Sequence, residues 1–288
     1  MITVQLLIQQ VINGLILGSI YSVSAVGLTL IFGIMGIPNF AHGSVYMLLG
    51  AYMAYTLYTL LGETLLAILG VIPIAFLLGI VLSYTLLRDL ASRSLSDIMI
   101  FTFGLSMCLE GLAQIIFGAD WRKIPSLVTG SVKIGGISYS NERLMVVGFS
   151  FVILTALWLF VQKTKWGTAM RAVQQNKEAA QAVGVNLHRI YALTLGLGFT
   201  LAAVPGALLA PVFFMNPAIG HPIGLKSFTV IILGGLGSIN GAIVCGLIIG
   251  VTEAVGGALI SFAYADAISY IITIFVILLI PKGLFGRY

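Results

Sequence analysis

The chain has 288 residues, 59% of them hydrophobic and 8% charged, against roughly 25% charged in soluble domains. The net charge of +5 sits mostly between apolar runs and fits a positive-inside bias, so it does not call for nucleic acid. Two cysteines, Cys108 and Cys245, lie far apart inside apolar runs, which leaves no disulfide framework and no zinc spacing.

The first apolar run, residues 6–32, carries no charge and exceeds the roughly 20 residues that span a bilayer as a helix. It lacks a basic leading region and is much longer than the apolar part of a signal peptide, so it reads as a span. Further spans follow at 40–60, 65–87, 97–118, 144–162 and 190–213, then a glycine-broken region at 227–259 and a last span at 267–280. In the broken region, "LGGLGSINGA" predicts a short half-helix followed by a full span. Gly234, Gly235, Gly237, Ser238 and Gly241 form that break and its packing. The pairs Gly14/Gly18, Gly237/Gly241 and Gly246/Gly250 are spaced for close helix packing. The runs are continuous, which excludes a β-barrel. The expected fold is an all-α polytopic bundle, one transmembrane domain over 1–288, with about eight full spans and one broken segment. No clear internal repeat is apparent.

Two polar connections interrupt this pattern. Residues 119–143 form a long loop in which "SVKIGGISYS" reads as a small β-hairpin. Residues 168–189 include "RAVQQNKEAAQAVGVNLHR", with three basic residues and one acid in nineteen positions, and read as a solvated helix. A lipid-surface helix and a docking element are both consistent with this composition.

Basic residues set the expected orientation. Arg88, Arg93, Lys163, Lys165, Arg171, Lys177, Arg189, Lys282 and Arg287 fall on one side, assigned to the cytoplasm. Arg122, Lys123, Lys133, Arg143 and Lys226 fall outside. This count treats the broken segment as a crossing; a re-entrant segment would move the C-terminus outside.

Catalytic and metal-binding clusters are not found: three histidines and nine acids are spread thinly. "GHPIGLKS" has the wrong spacing for a P-loop, and "GGLGSING" carries Asn240 where a dinucleotide fingerprint needs its third glycine. No cofactor or metal is expected on this chain. Ionisable groups within spans are costly and often functional. Glu110 lies mid-span and reads equally as an interhelix hydrogen bond or a lining group, and Glu253 reads as an interface anchor. In "PNFAHGS", Asn39, His42, Gly43 and Ser44 place polar groups and a helix break where the chain enters lipid. Such a break must be buried in protein or face water. A place on a translocation path follows, beside a simpler reading in which Asn39 caps the helix.

The segment "EAAQAVG", from Glu178 to Gly184, matches the EAA-xxx-G signature of ABC importer permeases. "INGLILGSIYSVSAVGLTLIFGIMGIPNFAHGSVYMLLGAY", "VIILGGLGSINGAIVCGLIIGVTEA" and "LLIPKGLFGR" resemble the branched-chain amino-acid permeases of the LivH type. The resemblance implies an uptake system of the bacterial inner membrane. Its parts would be this multi-pass permease, a second related permease, two ATPase subunits that use the ATP, and an extracytoplasmic substrate-binding protein. It implies that residues 168–189 hold the coupling helix that enters a groove of the ATPase. There Glu178 would offer a charge, Ala179 and Ala180 a compact surface, and Gly184 an end or bend. Urea or short amides would suit a path of low fixed charge as well. An ion-coupled secondary transporter is the alternative of a different class, supported by Glu110 and Glu253 within spans.

Overall fold

A computed structural model describes residues 4–85, 93–134 and 137–286. Among these, eight helices are long and apolar enough to cross a membrane. Helix α1 is Val4–Met35, α2 His42–Leu61, α3 Thr64–Thr85, α4 Leu95–Phe117 and α5 Asn141–Lys163. Two short polar helices follow, α6 Lys165–Gln175 and α7 Lys177–Ala182. Then come α8 Leu187–Leu209, α9 Gly220–Gly234, α10 Ile239–Leu259 and α11 Ala265–Leu279. The predicted hairpin is present as antiparallel strands β1 Ser131–Ile134 and β2 Ile137–Ser140, with Ser131 opposite Ser140. Arg88, Arg287, the end of the third span, Gly135 and Gly136 lie outside the described residues.

Helices α1 and α8 are the buried centre, and α4 and α11 lie at the edge. Small residues let the central backbones touch, which matters where lipid removes most of the hydrophobic drive to helix association. Gly14 and Gly18 of α1 seat against Gly250 and Gly246 of α10, Gly27 against Gly198 of α8, and Gly79 of α3 against Gly196 of α8. Any Cβ at these positions would collide with backbone or packed side chains.

Chain direction follows from the contacts. Lys177 reaches the last turn of α1 at Met35, and Gln174 reaches Gly237 after α9. Leu284 and Phe285 donate to Leu233 and Gly234. The end of α1, the α9–α10 turn and the chain beyond α11 therefore share one end, the α7 end. Arg122 pairs with Met215 at the opposite end, which also carries the hairpin with Lys133. Residues 210–234 thus cross the bundle. Helix α9 has 15 residues and measures about 22 Å, short of the roughly 30 Å hydrocarbon core; residues 210–219 complete the path. The crossing count in the sequence reading holds.

Three expectations are corrected. The stretch at 168–189 is two helices, because Asn176 has extended backbone and caps α7, accepting from Ala179 N–H at 2.9 Å. The helix before the glycine break begins at Gly220 and not near 227, so Lys226 is inside it. Lys226 is therefore buried within the bundle and not an outside loop residue. The units α1–α2–α3 and α8–α9–α10 run in opposite directions, and in each the middle helix follows an irregular entry. The third helix of each unit packs on the first helix of the other. This is an inverted arrangement of the kind many transporters use.

Candidate functional site

The site begins where α1 ends. Gly36 takes φ 76°, a conformation open to glycine without penalty. Residues 37–41 then fold back along α1. His42, at the first turn of α2, donates from Nε2 to Ser24 O at 2.9 Å. Ser24 lies eleven residues back from Met35, so α2 starts about 16 Å inside the bundle. Asn39 Oδ1 accepts from Ala41 N–H at 3.1 Å, a local turn ahead of the helix; Ala41 is the N-cap of α2 and no side chain caps it, so the capping reading of Asn39 is corrected. Helix α2 then passes through π-helical turns at Tyr46–Tyr52, a distortion frequent at functional sites, and the apolar run gave no sign of it.

The first turns of α2 and α9 meet in the interior. Gly43 lies on the backbone of Gly220 and Gly224, and a Cβ at Gly43 would collide with Gly220 O. A cavity of about 90 Å³ opens beside this junction, room for several water molecules. Its walls include Phe40, Ser44, Phe103, Ser106, His221 and Phe228. Ser44 Oγ and Ser106 Oγ are 2.8 Å apart. Phe40 and Phe228 stack with centroids 4.6 Å apart. Of the expected path residues, Gly43 and Ser44 line this cavity. His42 is buried behind it, with Nδ1 unpartnered among the described residues. Glu110 is one helical turn beyond Ser106, half-exposed, outside the cavity wall and without a described partner.

The glycine break behaves as expected. Gly235 and Gly237 take φ 94° and 84°, Ser238 caps α10 by accepting from Gly241 N–H at 3.1 Å, and Gly241 lies on Gly234. "GHPIGLKS" forms the first two turns of α9 and is helical, not the glycine-rich loop of a P-loop.

The coupling segment needs one correction. Glu178 and Ala179 are exposed, whereas Ala180 is 3% exposed and packs into the central core beside α1 and α8. The alanine pair therefore splits between an outer and an inner face, because consecutive helical residues point about 100° apart. Gly184 has φ 88° and open space where a Cβ would be. It terminates α7, donating to Gln181 O at 2.9 Å, and backbone conformation is its requirement.

A buried polar cluster, not predicted from the sequence, joins four helices. Lys226 pairs with Glu253, and its Nζ lies 2.7 Å from Ser269 Oγ and 3.0 Å from Asp266. Tyr21 donates to Glu253 Oε2 at 2.9 Å. Lys226 and Glu253 are 2% and 5% exposed, so Glu253 is no interface anchor. Lys226 falls just before residue 227, where the sequence predicts the glycine-broken apolar region to begin; the signal lay in a lysine and a glutamate both followed by long apolar runs.

Eight candidate spans, an inverted pair of units and a cavity where two helices begin define a multi-pass membrane protein of the transporter type. The family described as the permease component of the branched-chain amino acid transport system matches residues 10–278, and the chain belongs to it. It is 34% identical to the high-affinity branched-chain amino acid transport system permease protein LivH of Escherichia coli (strain K12), over 97% of this chain and 96% of that one. It is 33% identical to the permease protein BraD of Pseudomonas aeruginosa over the same shares. Among solved structures, the PsaBC complex of Streptococcus pneumoniae with Fab matches with a TM-score of 0.51 over 96% of this chain and 92% of that one. At 16% identity that likeness concerns the fold alone.

Proposed function

We propose that this chain is the permease subunit of an ABC importer in the bacterial inner membrane. It passes branched-chain or related neutral amino acids inward, driven by two separate ATPase subunits docked at α7. A second related permease and an extracytoplasmic binding protein complete the assembly. The α7 end faces the cytoplasm in this reading, in line with its basic residues.

The observation that carries the reading is the cavity between α2 and α9. Its wall combines the first turns of two helices, the hydroxyls of Ser44 and Ser106, and three phenylalanine rings. Helix N-termini suit a carboxylate, hydroxyls suit an ammonium group, and the rings suit an aliphatic side chain. The relatives' names give the same substrate class. An ion-coupled carrier is the second reading, favoured by the inverted units and the buried Lys226–Glu253 pair; it leaves the exposed face of α7 without a role.

Reconstitution of the whole transporter in vesicles tests this. Labelled leucine uptake should require ATP, and Ser106→Trp, which fills the cavity, should abolish it while the subunits still assemble. Uptake driven by an ion gradient without ATP, or undiminished by Ser106→Trp, would refute the reading. Competition by urea and short amides decides the substrate class.

A further inference from the structure

Two polar side chains tie the α6–α7 pair to the bundle. Gln174, in the last turn of α6, donates from Nε2 to Gly237 O at 2.9 Å. Lys177, the first residue of α7, donates from Nζ to Met35 O at 3.0 Å and lies 5.9 Å from the ring centroid of Tyr191. Met35 O is one of the last carbonyls of α1, which lack helical partners and carry the negative end of its dipole. A lysine there makes a charge-assisted bond.

The receiving points are not arbitrary. Met35 precedes Gly36, φ 76°, and the entry to Phe40; Gly237, φ 84°, ends the turn that follows α9, which carries Phe228. Gly33 and Gly237 are close enough that a Cβ on Gly33 would lie 3.0 Å from both Gly237 Cα and Gln174 Nε2. The two backbone paths leaving these points end on Phe40 and Phe228, which stack at 4.6 Å on the cavity wall. Each path passes a glycine of positive φ, where rotation costs least.

We propose that Gln174 and Lys177 are positioning residues that convey displacement of α7 to the cavity. Lys177 moves the α1–α2 entry and Gln174 moves the α9–α10 turn, so the Phe40–Phe228 contact opens and closes from both sides at once. This rests on the ABC-importer reading, because that reading supplies the force on α7. Docking is left to the exposed residues Glu178 and Ala179.

The test uses the complete transporter in vesicles, with Lys177→Met, Gln174→Leu and Lys177→Arg. The first two should keep ATPase association and ATP hydrolysis within about twofold while leucine uptake falls about tenfold, the size of an ordinary coupling free energy. Lys177→Arg, which keeps the donor, should retain uptake. A conformational readout accompanies these: Ser106→Cys in a Cys108→Ser background, probed with a thiol reagent. Its labelling should change with nucleotide in the otherwise unaltered chain and cease to change with Lys177→Met. Normal uptake in both loss variants overturns the proposal. So does loss of ATPase association in parallel with uptake, since the two residues would then be docking contacts. A chain without these substitutions that never recruits an ATPase refutes the importer reading itself, a separate outcome.

Discussion

Lys226 of α9 and Glu253 of α10 form an ion pair inside the helical bundle, 2% and 5% exposed. Tyr21 of α1 and Ser269 of α11 bond the same carboxylate, so four helices converge on one charge pair. Removing one partner strands the other in a place where water cannot reach it. Lys226→Met should therefore destabilise the protein by about 3–5 kcal/mol. Adding Glu253→Leu should recover part of that loss. Thermal unfolding in detergent reads both, and a double variant less stable than Lys226→Met alone would contradict the pairing. Asp266, 67% exposed, should matter far less.

Gly43→Ala tests the interior junction. The new methyl collides with Gly220 O, so α2 and α9 must separate, at a cost of about 1–3 kcal/mol as overpacking. Transport should fall while the chain still inserts in the membrane. Gly104→Ala on α4, where a Cβ meets nothing within 4 Å, is the control and should be silent in the same uptake assay.

Gly184 separates a backbone requirement from a contact requirement. With φ 88° and no neighbour near its Cβ position, the cost of a side chain is conformational, about 1–2 kcal/mol. Asparagine visits this region more readily than leucine. ATPase co-purification should fall in the order Gly184, Gly184→Asn, Gly184→Leu. Equal recovery for all three would mean that the end of α7 contributes nothing to docking.

Glu110 should prove dispensable for the path. It stands off the cavity wall and has no described partner. Glu110→Gln should leave leucine uptake within about twofold, well under the tenfold that 1.4 kcal/mol represents. A larger loss would show that Glu110 meets the substrate or a second permease.

Sidedness can be read chemically. Single cysteines at Lys177 and Phe285 should react with an impermeant reagent from the same face, and one at Lys133 from the other. Finding Phe285 with Lys133 would make residues 210–234 re-entrant.

Spans, breaks and turns were legible because each is a local property. Twenty apolar residues partition into lipid wherever their neighbours in the fold lie. A glycine run with Ser238 behind it ends one helix and caps the next through φ and one hydrogen bond. The β-hairpin around "SVKIGGISYS" followed from the same short-range chemistry. Tertiary structure decided what joins residues far apart in the chain. Lys226 changed from an outside loop charge to a buried ion because Glu253, 27 positions on, and Tyr21, 232 positions from that glutamate, lie around it. Ala180 turned inward because α7 lies on the bundle, a face that six residues cannot declare. The inverted units leave no trace in the sequence because antiparallel packing needs only matched small residues, such as Gly18 against Gly246 and Gly250, and not similar sequences. Hydrophobicity and backbone conformation are written residue by residue; which helix meets which is set by the close packing of all of them together.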